Sequence, residues 1–295
     1  MDWAKDVIQT ILSGISMGCV YGLVALGFVL IFKATEVINF AQGELLMLGA
    51  FISYTLITFL DVPYWAALLL TIAIMGVFGL LLERTVLRLL VGEPVYAIVI
   101  VTIGISFFLR STVSMVPGWG TETYGFKTPF TDKFVRAGNL VLSWEQISVI
   151  LISTILILIL FAFFRYTRIG TAMRATSQNQ LAAVYMGISV TRVFSLTWTI
   201  AAALGGIGGI LLAPITFVHM NMGFIGLKAF PAAVLGGFGS LPGAIVGGLI
   251  IGISESLSGF YLPEGWKDIA AWIILIGVLI VRPQGLFGIQ EKKKV

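Results

Sequence analysis

The residues best suited to chemistry stand near the front of the chain. The stretch Lys33-Ala34-Thr35-Glu36-Val37-Ile38-Asn39-Phe40-Ala41-Gln42-Gly43-Glu44 runs directly into Leu45-Leu46-Met47-Leu48-Gly49. Ionisable side chains at membrane depth are costly, so they line a cavity or pair with a neighbour. The run 45–60 is short for a span, and a full crossing draws in Gln42, Gly43 and Glu44. Asn39, Gln42 and Glu44 are therefore candidates for the polar lining of a solute path along a broken helix. A competing reading puts Glu44 at the interface, where a carboxylate suits the N-terminal end of a helix dipole.

A second interruption is written in glycine. Gly236, Gly237 and Gly239 precede Pro242 and Gly243, a pattern that predicts a sharp turn or helix break and a candidate hinge. Discontinuous helices in two halves of a membrane protein mark a transport route. The two candidates are 36–44 and 229–243. Other glycines recur at a spacing of four: Gly14, Gly18 and Gly22; Gly205 and Gly209; Gly239, Gly243 and Gly247. That spacing puts small residues on one helix face and lets backbones approach closely.

The third signal is a polar segment, 165–192, carrying Arg165, Arg168, Arg174 and Arg192. Its middle is rich in helix formers. Leu181, Val184 and Tyr185 fall at i, i+3 and i+4 and make one apolar stripe. Gly187 is placed to stop that helix. Such a helix either lies on the headgroups or docks into a groove on a partner. The residues alone favour neither.

Enzymatic constellations are missing. His219 is the only histidine and Cys19 the only cysteine. No residues have metal-ligand spacing, no Ser-His or Cys-His pair stands out, and no G-x-x-x-x-G-K-[ST] loop is present. The expectation is a chain with no catalytic residue, no metal and no cofactor of its own. Glu255 and Glu264 read as members of a solvated loop.

The elements that must position these residues follow from composition. Of 295 residues, 58% are hydrophobic and 11% charged. A soluble domain carries about 25% charged residues. The shortage excludes a water-facing surface, and the hydrophobicity excludes disorder. One cysteine excludes a disulfide-stapled domain. The net charge of +4 collects in loops and is no nucleic-acid footprint. Apolar runs without alternation predict an all-α polytopic membrane helix bundle of about 8 spans, with one or two discontinuous helices, packed among lipid as a single domain over 1–295. The spans are 7–32, about 45–60, 63–82, about 95–112 with Arg110 near one end, 146–164, 193–213, two within 229–258, and about 267–281. The first is too long for the apolar core of a signal peptide, and Asp2 and Asp6 precede it. Basic segments 83–94, 165–192 and the tail (Arg282, Lys292, Lys293, Lys294) belong on the cytoplasmic side. That assignment makes 229–258 two passes with the Gly-Pro turn on the cytoplasmic side, and makes 113–144 the external loop.

Three blocks then resemble one family, the LivH-type permease subunits of branched-chain amino-acid ABC importers. The first is Tyr21-Gly22-Leu23-Val24-Ala25-Leu26-Gly27 through Asn39-Phe40-Ala41-Gln42-Gly43-Glu44 and Met47-Leu48-Gly49. The second is Arg168-Ile169-Gly170 and Arg174-Ala175 through Met186-Gly187-Ile188. The third is Ala229-Phe230-Pro231 through Gly243-Ala244. The resemblance covers about residues 8–285. It implies that the second block is a coupling helix seated in a cytoplasmic ATPase, through Arg168, Gly170, Arg174, Gln178, Asn179, Leu181, Tyr185 and Gly187. Family members often carry an acidic residue where Gln178 and Asn179 stand. It also implies a LivM-type second permease, two ATPase subunits that hold ATP and Mg, a substrate-binding protein outside, and a bacterial or archaeal inner membrane. The competing class is an ion-coupled secondary transporter or channel, with Glu44 as its only good coupling residue.

Overall fold

The computed structural model describes residues 3–137 and 140–288. Asp2 and the tail lysines 292–294 lie outside the described residues. The chain is a helix bundle with one two-stranded hairpin. Helix α1 (Trp3–Thr35) has 33 residues. At about 1.5 Å per residue it is about 50 Å long, more than a bilayer core of about 30 Å. It stops where Glu36 takes a left-handed φ of 58°. A non-helical stretch, 36–41, follows before α2 (Gln42–Thr58) begins. The front of the chain is therefore interrupted, as its polar run predicts.

Then come α3 (Tyr64–Thr85), a 3-10 turn (Leu87–Leu90) and α4 (Val95–Met115). Pro63 and Pro94 precede the two helices, where a missing N–H costs nothing. Strands β1 (Phe134–Ala137) and β2 (Leu140–Ser143) pair antiparallel, Phe134 opposite Ser143. The order continues with α5 (Trp144–Tyr166), α6 (Arg168–Gln178), α7 (Gln180–Tyr185), α8 (Val190–Thr216), α9 (Met222–Leu227), α10 (Ala229–Gly236), α11 (Leu241–Tyr261) and α12 (Trp266–Val281). Among the described residues six helices, α1, α3, α4, α5, α8 and α11, are long and apolar enough to cross a membrane. The α9–α10 stretch is a shorter apolar run.

Burial sorts these helices into two classes. The apolar stretches of α1 and α8 are 83% and 78% buried, whereas that of α4 is 17% buried. Leu69, Ile100, Phe108, Leu158 and Ile280 stand exposed on α3, α4, α5 and α12. An apolar outer surface is what a bundle in lipid needs, since lipid tails reward no burial of leucine.

The inner helices approach through glycine. A Cβ on Gly14 would lie 2.6 Å from Ile253 Cα, and one on Gly18 2.8 Å from Leu249 Cα. The seam of α1 therefore runs antiparallel along α11, against Gly248 and Gly252. Gly243 and Gly247 instead face α10, and Gly205 and Gly209 admit α2. Close packing is the role of these repeats except at Gly239, with partners that spacing alone did not reveal.

The connections fall on two opposite faces. On one, Gln180 donates to the Ala34 carbonyl at 3.1 Å, and Thr35, Leu87, Gly92 and Gln180 border one cavity. Phe32 meets Phe238 with ring centroids 4.6 Å apart. After α12, Leu286 N–H donates to the Leu235 carbonyl at 2.8 Å. The loops with Arg84, Arg88, Arg165, Arg168, Arg174, Arg192 and Arg282 all belong to this basic face. On the other face, Tyr124 pairs with Val218, and Trp119 Nε1 donates to Thr55 Oγ1 at 2.7 Å. Tyr64 and Trp65 at the head of α3 meet Phe130 edge to face. The segment 113–144 thus covers the ends of α2 and α3 with aromatic rings.

Candidate functional site

The break between α1 and α2 is held by its own amides. Asn39 and Gln42 are fully buried. Asn39 Nδ2 donates to Gln42 Oε1 at 3.3 Å, and Asn39 Oδ1 accepts the Ala41 N–H at 3.0 Å. Gln42 Nε2 donates to the Ala201 carbonyl of α8 at 2.9 Å. Phe40 N–H donates to Thr102 Oγ1 of α4 at 3.2 Å. Buried polar groups need such partners, because an unmade hydrogen bond costs about 1–3 kcal/mol. Gly27 of α1 leaves the room: a Cβ there would overlap the Gln42 amide.

Glu44, on the first turn of α2, points elsewhere. It is 5% exposed. Its Oε1 accepts from Arg110 Nη2 of α4 at 2.5 Å. The guanidinium carbon lies 4.1 Å from the ring centroid of Phe224 on α9, a cation-π contact. A Cβ on Gly223 would overlap the Glu44 carboxylate, so this glycine makes the space. Glu44 Oε2 and Arg110 Nε have no hydrogen-bond partner among the described residues. The pair borders a cavity of about 210 Å³ between Phe40, Ile103, Phe107 and Leu227. Of the three path candidates, Glu44 lines this cavity, while Asn39 and Gln42 stand behind it in the packed interior. Arg110, read in the sequence only as a charge near a span's end, is its partner.

A second ionic cluster, buried at Glu255 and open to the surface at Asp268, lies on the other side of α9–α10. The short span breaks at Lys228, whose Nζ donates to Glu255 Oε1 of α11 and Asp268 Oδ1 of α12, each at 2.7 Å. The Tyr21 hydroxyl of α1 donates to Glu255 Oε2 at 2.6 Å. Glu255 is 3% exposed, which corrects its reading as a solvated loop residue. The helix runs on to Tyr261 and keeps it inside. Glu264 is exposed, as expected. Lys228 is the residue that sequence reasoning missed. The available signal was an ammonium amid the apolar run 222–236.

The Gly-Pro stretch is a turn between α10 and α11. Gly237 has φ 93°, and Ser240 caps α11, its Oγ accepting the Gly243 N–H at 3.1 Å. Pro242 sits in the first turn, where proline fits. Gly236 and Gly243 let the two backbones touch, while Gly239 faces open space. The turn lies on the basic face.

The segment 165–192 forms two helices rather than one. Thr167 caps α6 through the Gly170 N–H at 3.0 Å. Gly170 packs against the backbone of Phe163 and Phe164. Asn179 breaks the run and caps α7, its Oδ1 accepting the Ala182 N–H at 2.9 Å. Gly187 ends α7 at φ 81°. Met173, Thr176 and Ala183 face inward. Arg168, Arg174, Gln178 and Asn179 are exposed. Leu181, Val184, Tyr185 and Met186 are exposed apolar residues, Tyr185 by 87%.

No group of three or more metal-ligating side chains occurs among the described residues. His219 lies between α8 and α9. Its Nδ1 accepts the Asn221 N–H at 3.2 Å, and burial lowers its pKa.

Taken together, these features define a polytopic helical membrane protein with a cavity lined by an ion pair and an exposed apolar helix on its basic face. The family described as branched-chain amino acid transport system / permease component matches residues 10–280. The chain is 33% identical to the high-affinity branched-chain amino acid transport system permease protein LivH of Salmonella typhimurium, over 98% of this chain and 97% of that protein. It is 32% identical to the corresponding protein BraD of Pseudomonas aeruginosa, over 98% of each. A probable LivH of Methanocaldococcus jannaschii is 29% identical over 92% of this chain and 89% of that one. No solved structure matches it. The chain belongs to the family of branched-chain amino acid transport permease components, which are transport subunits and not enzymes.

Proposed function

We propose that this chain is a LivH-type subunit that moves branched-chain amino acids inward by ATP-driven alternating access. The observation that carries the reading is end-to-end similarity to proteins named for that transport. The reading treats 1–295 as one transmembrane domain in a bacterial or archaeal inner membrane. Eight continuous helices (α1 to α5, α8, α11 and α12) and the broken α9–α10 pair cross it, with the N-terminus outside and the basic face in the cytoplasm. The sequence expectation is about eight spans in all, one or two of them discontinuous.

In this reading each face has its partner. The exposed residues of α6 and α7, with Leu181 and Tyr185 as apolar anchors, dock into one of two ATPase subunits, which hold the ATP and Mg. Arg168, Gly170, Arg174, Gln178, Asn179 and Gly187 shape and frame that contact. The aromatic-capped outer face receives a substrate-binding protein. The Glu44 cavity opens on the flank of the bundle, where Phe107 and Phe224 are 67% and 55% exposed. A LivM-type second permease closes that flank, so the path runs between the two chains. Glu44 forms part of its wall, Asn39 and Gln42 brace that wall from behind, and the 236–243 turn lets α10 and α11 move together. ATP binding shifts the bundle only to the extent that it favours one state over the other.

The test is co-expression with a LivM-type permease and its ATPases, followed by reconstitution with the binding protein. ATP-dependent leucine uptake is expected, lost on Leu181→Asp/Tyr185→Asp. Uptake that ignores ATP and follows an ion gradient overturns the proposal.

A further inference from the structure

The Glu44–Arg110 pair differs from an ordinary buried ion pair in what it leaves unused. A buried pair is stable only when its remaining lone pairs and protons are also satisfied. Here one carboxylate oxygen and one guanidinium N–H are buried and unbonded among the described residues, and the two residues that carry them line one cavity. The rest of that wall is apolar or aromatic apart from Ser106. At about 210 Å³ the space is below the range of about 300–1,000 Å³ for drug-sized ligands. It suits one small solute.

Charge chooses the solute's class. The pair is neutral as a whole, so a ligand with net charge would leave that charge uncompensated at membrane depth. A zwitterion adds none. Laid antiparallel to the pair, an α-amino acid puts its ammonium against Glu44 and its carboxylate against Arg110. Its side chain then falls among Phe40, Ile103, Phe107 and Leu227. Hydrogen bonds to charged groups are the strong ones, and both ends of the zwitterion gain one.

We propose that this cavity is a solute station inside the membrane, in which Glu44 receives the ammonium and Arg110 the carboxylate of an aliphatic α-amino acid. This rests on the import reading above and adds the site. Phe224 holds the guanidinium plane, and Gly223 keeps the carboxylate free to turn.

The experiment uses the assembled transporter in nanodiscs, without its binding protein, and a diazirine analogue of leucine as the probe. Light-driven labelling is expected on α4 between Ile103 and Arg110, or on α9. Excess leucine should compete, and neither 4-methylpentanoate nor 3-methylbutylamine should. Glu44→Gln and Arg110→Gln should each cut labelling roughly tenfold or more. Ile103→Trp fills the cavity without touching the pair and should abolish labelling. Labelling elsewhere, labelling indifferent to Glu44→Gln, or equal competition by the amine overturns the proposal. ATP-dependent leucine uptake by the same wild-type preparation separates the two levels. Uptake with labelling elsewhere removes the site alone, and no uptake removes the import reading and the site with it.

Discussion

Two clusters of buried charge flank the α9–α10 segment, and they are built to opposite ends. Around Lys228 the ammonium meets two carboxylates, and Glu255 has a partner on each oxygen. Around Glu44 one oxygen and one guanidinium nitrogen are left over, beside a cavity. The first cluster ties α1, α11 and α12 to the break in the short span. The second ties α2 to α4 by one hydrogen bond, and α4 to α9 by a ring contact. On the proposed reading, saturation marks the structural cluster and unsaturation the working one.

That contrast is open to breaking by substitution. The largest effect is expected from Lys228→Met. It strands Glu255 in the interior and should cost about 3–5 kcal/mol. Thermal unfolding of the detergent-solubilised complex reads this, and Lys228→Met/Glu255→Met should recover most of it. A single variant as stable as wild type would mean the cluster is not a paired one. Glu44→Gln should behave the other way round. Unfolding should move by less than for Lys228→Met, because the glutamine oxygen still accepts from Arg110 and the guanidinium is part-exposed, while leucine uptake falls roughly tenfold. Equal losses in stability and uptake would erase the distinction.

Gly223→Ala sharpens it further. Its methyl group displaces only the flexible end of Glu44. Uptake should drop several-fold with stability nearly kept, and unchanged uptake would deny the carboxylate its role. Smallest is Asn179→Ala, far from both clusters. Loss of its cap on α7 should cost about 1 kcal/mol locally. Faster hydrogen exchange at the Ala182 amide, with both charge clusters undisturbed, is the expected readout.

Much of this was legible in the chain because lipid leaves few alternatives. An apolar run of span length is a helix, and the polar run before Leu45 announced an interruption. Glu44 was visible as a carboxylate in the wrong solvent. Its partner was not, since Arg110 lies 66 positions away and pairing at that distance is set by packing. Glu255 was misread although it fell inside the stretch 229–258, because the partners that hold it there, Tyr21 and Lys228, are brought to it by packing and not by sequence. The 165–192 segment kept its apolar stripe and its Gly187 stop. Its division at Asn179 was hidden by helix formers on both sides, whereas an asparagine cap is a local choice of one side chain. The short span was located, but its break was assigned to the glycines at the turn. It falls at Lys228, where a side chain reaches out to two other helices.

The α1–α11 seam also dictates an order of manufacture. Tyr21 and Glu255 are bonded across 234 positions of chain. Helix α1 is therefore made long before α11 and must wait, its glycine notches unfilled by α11 and its Tyr21 hydroxyl without the carboxylate it will bond, until the intervening helices have been threaded. A chain stopped before α11 would be inserted yet unfinished, and the membrane's quality-control proteases would meet it with that notch still open.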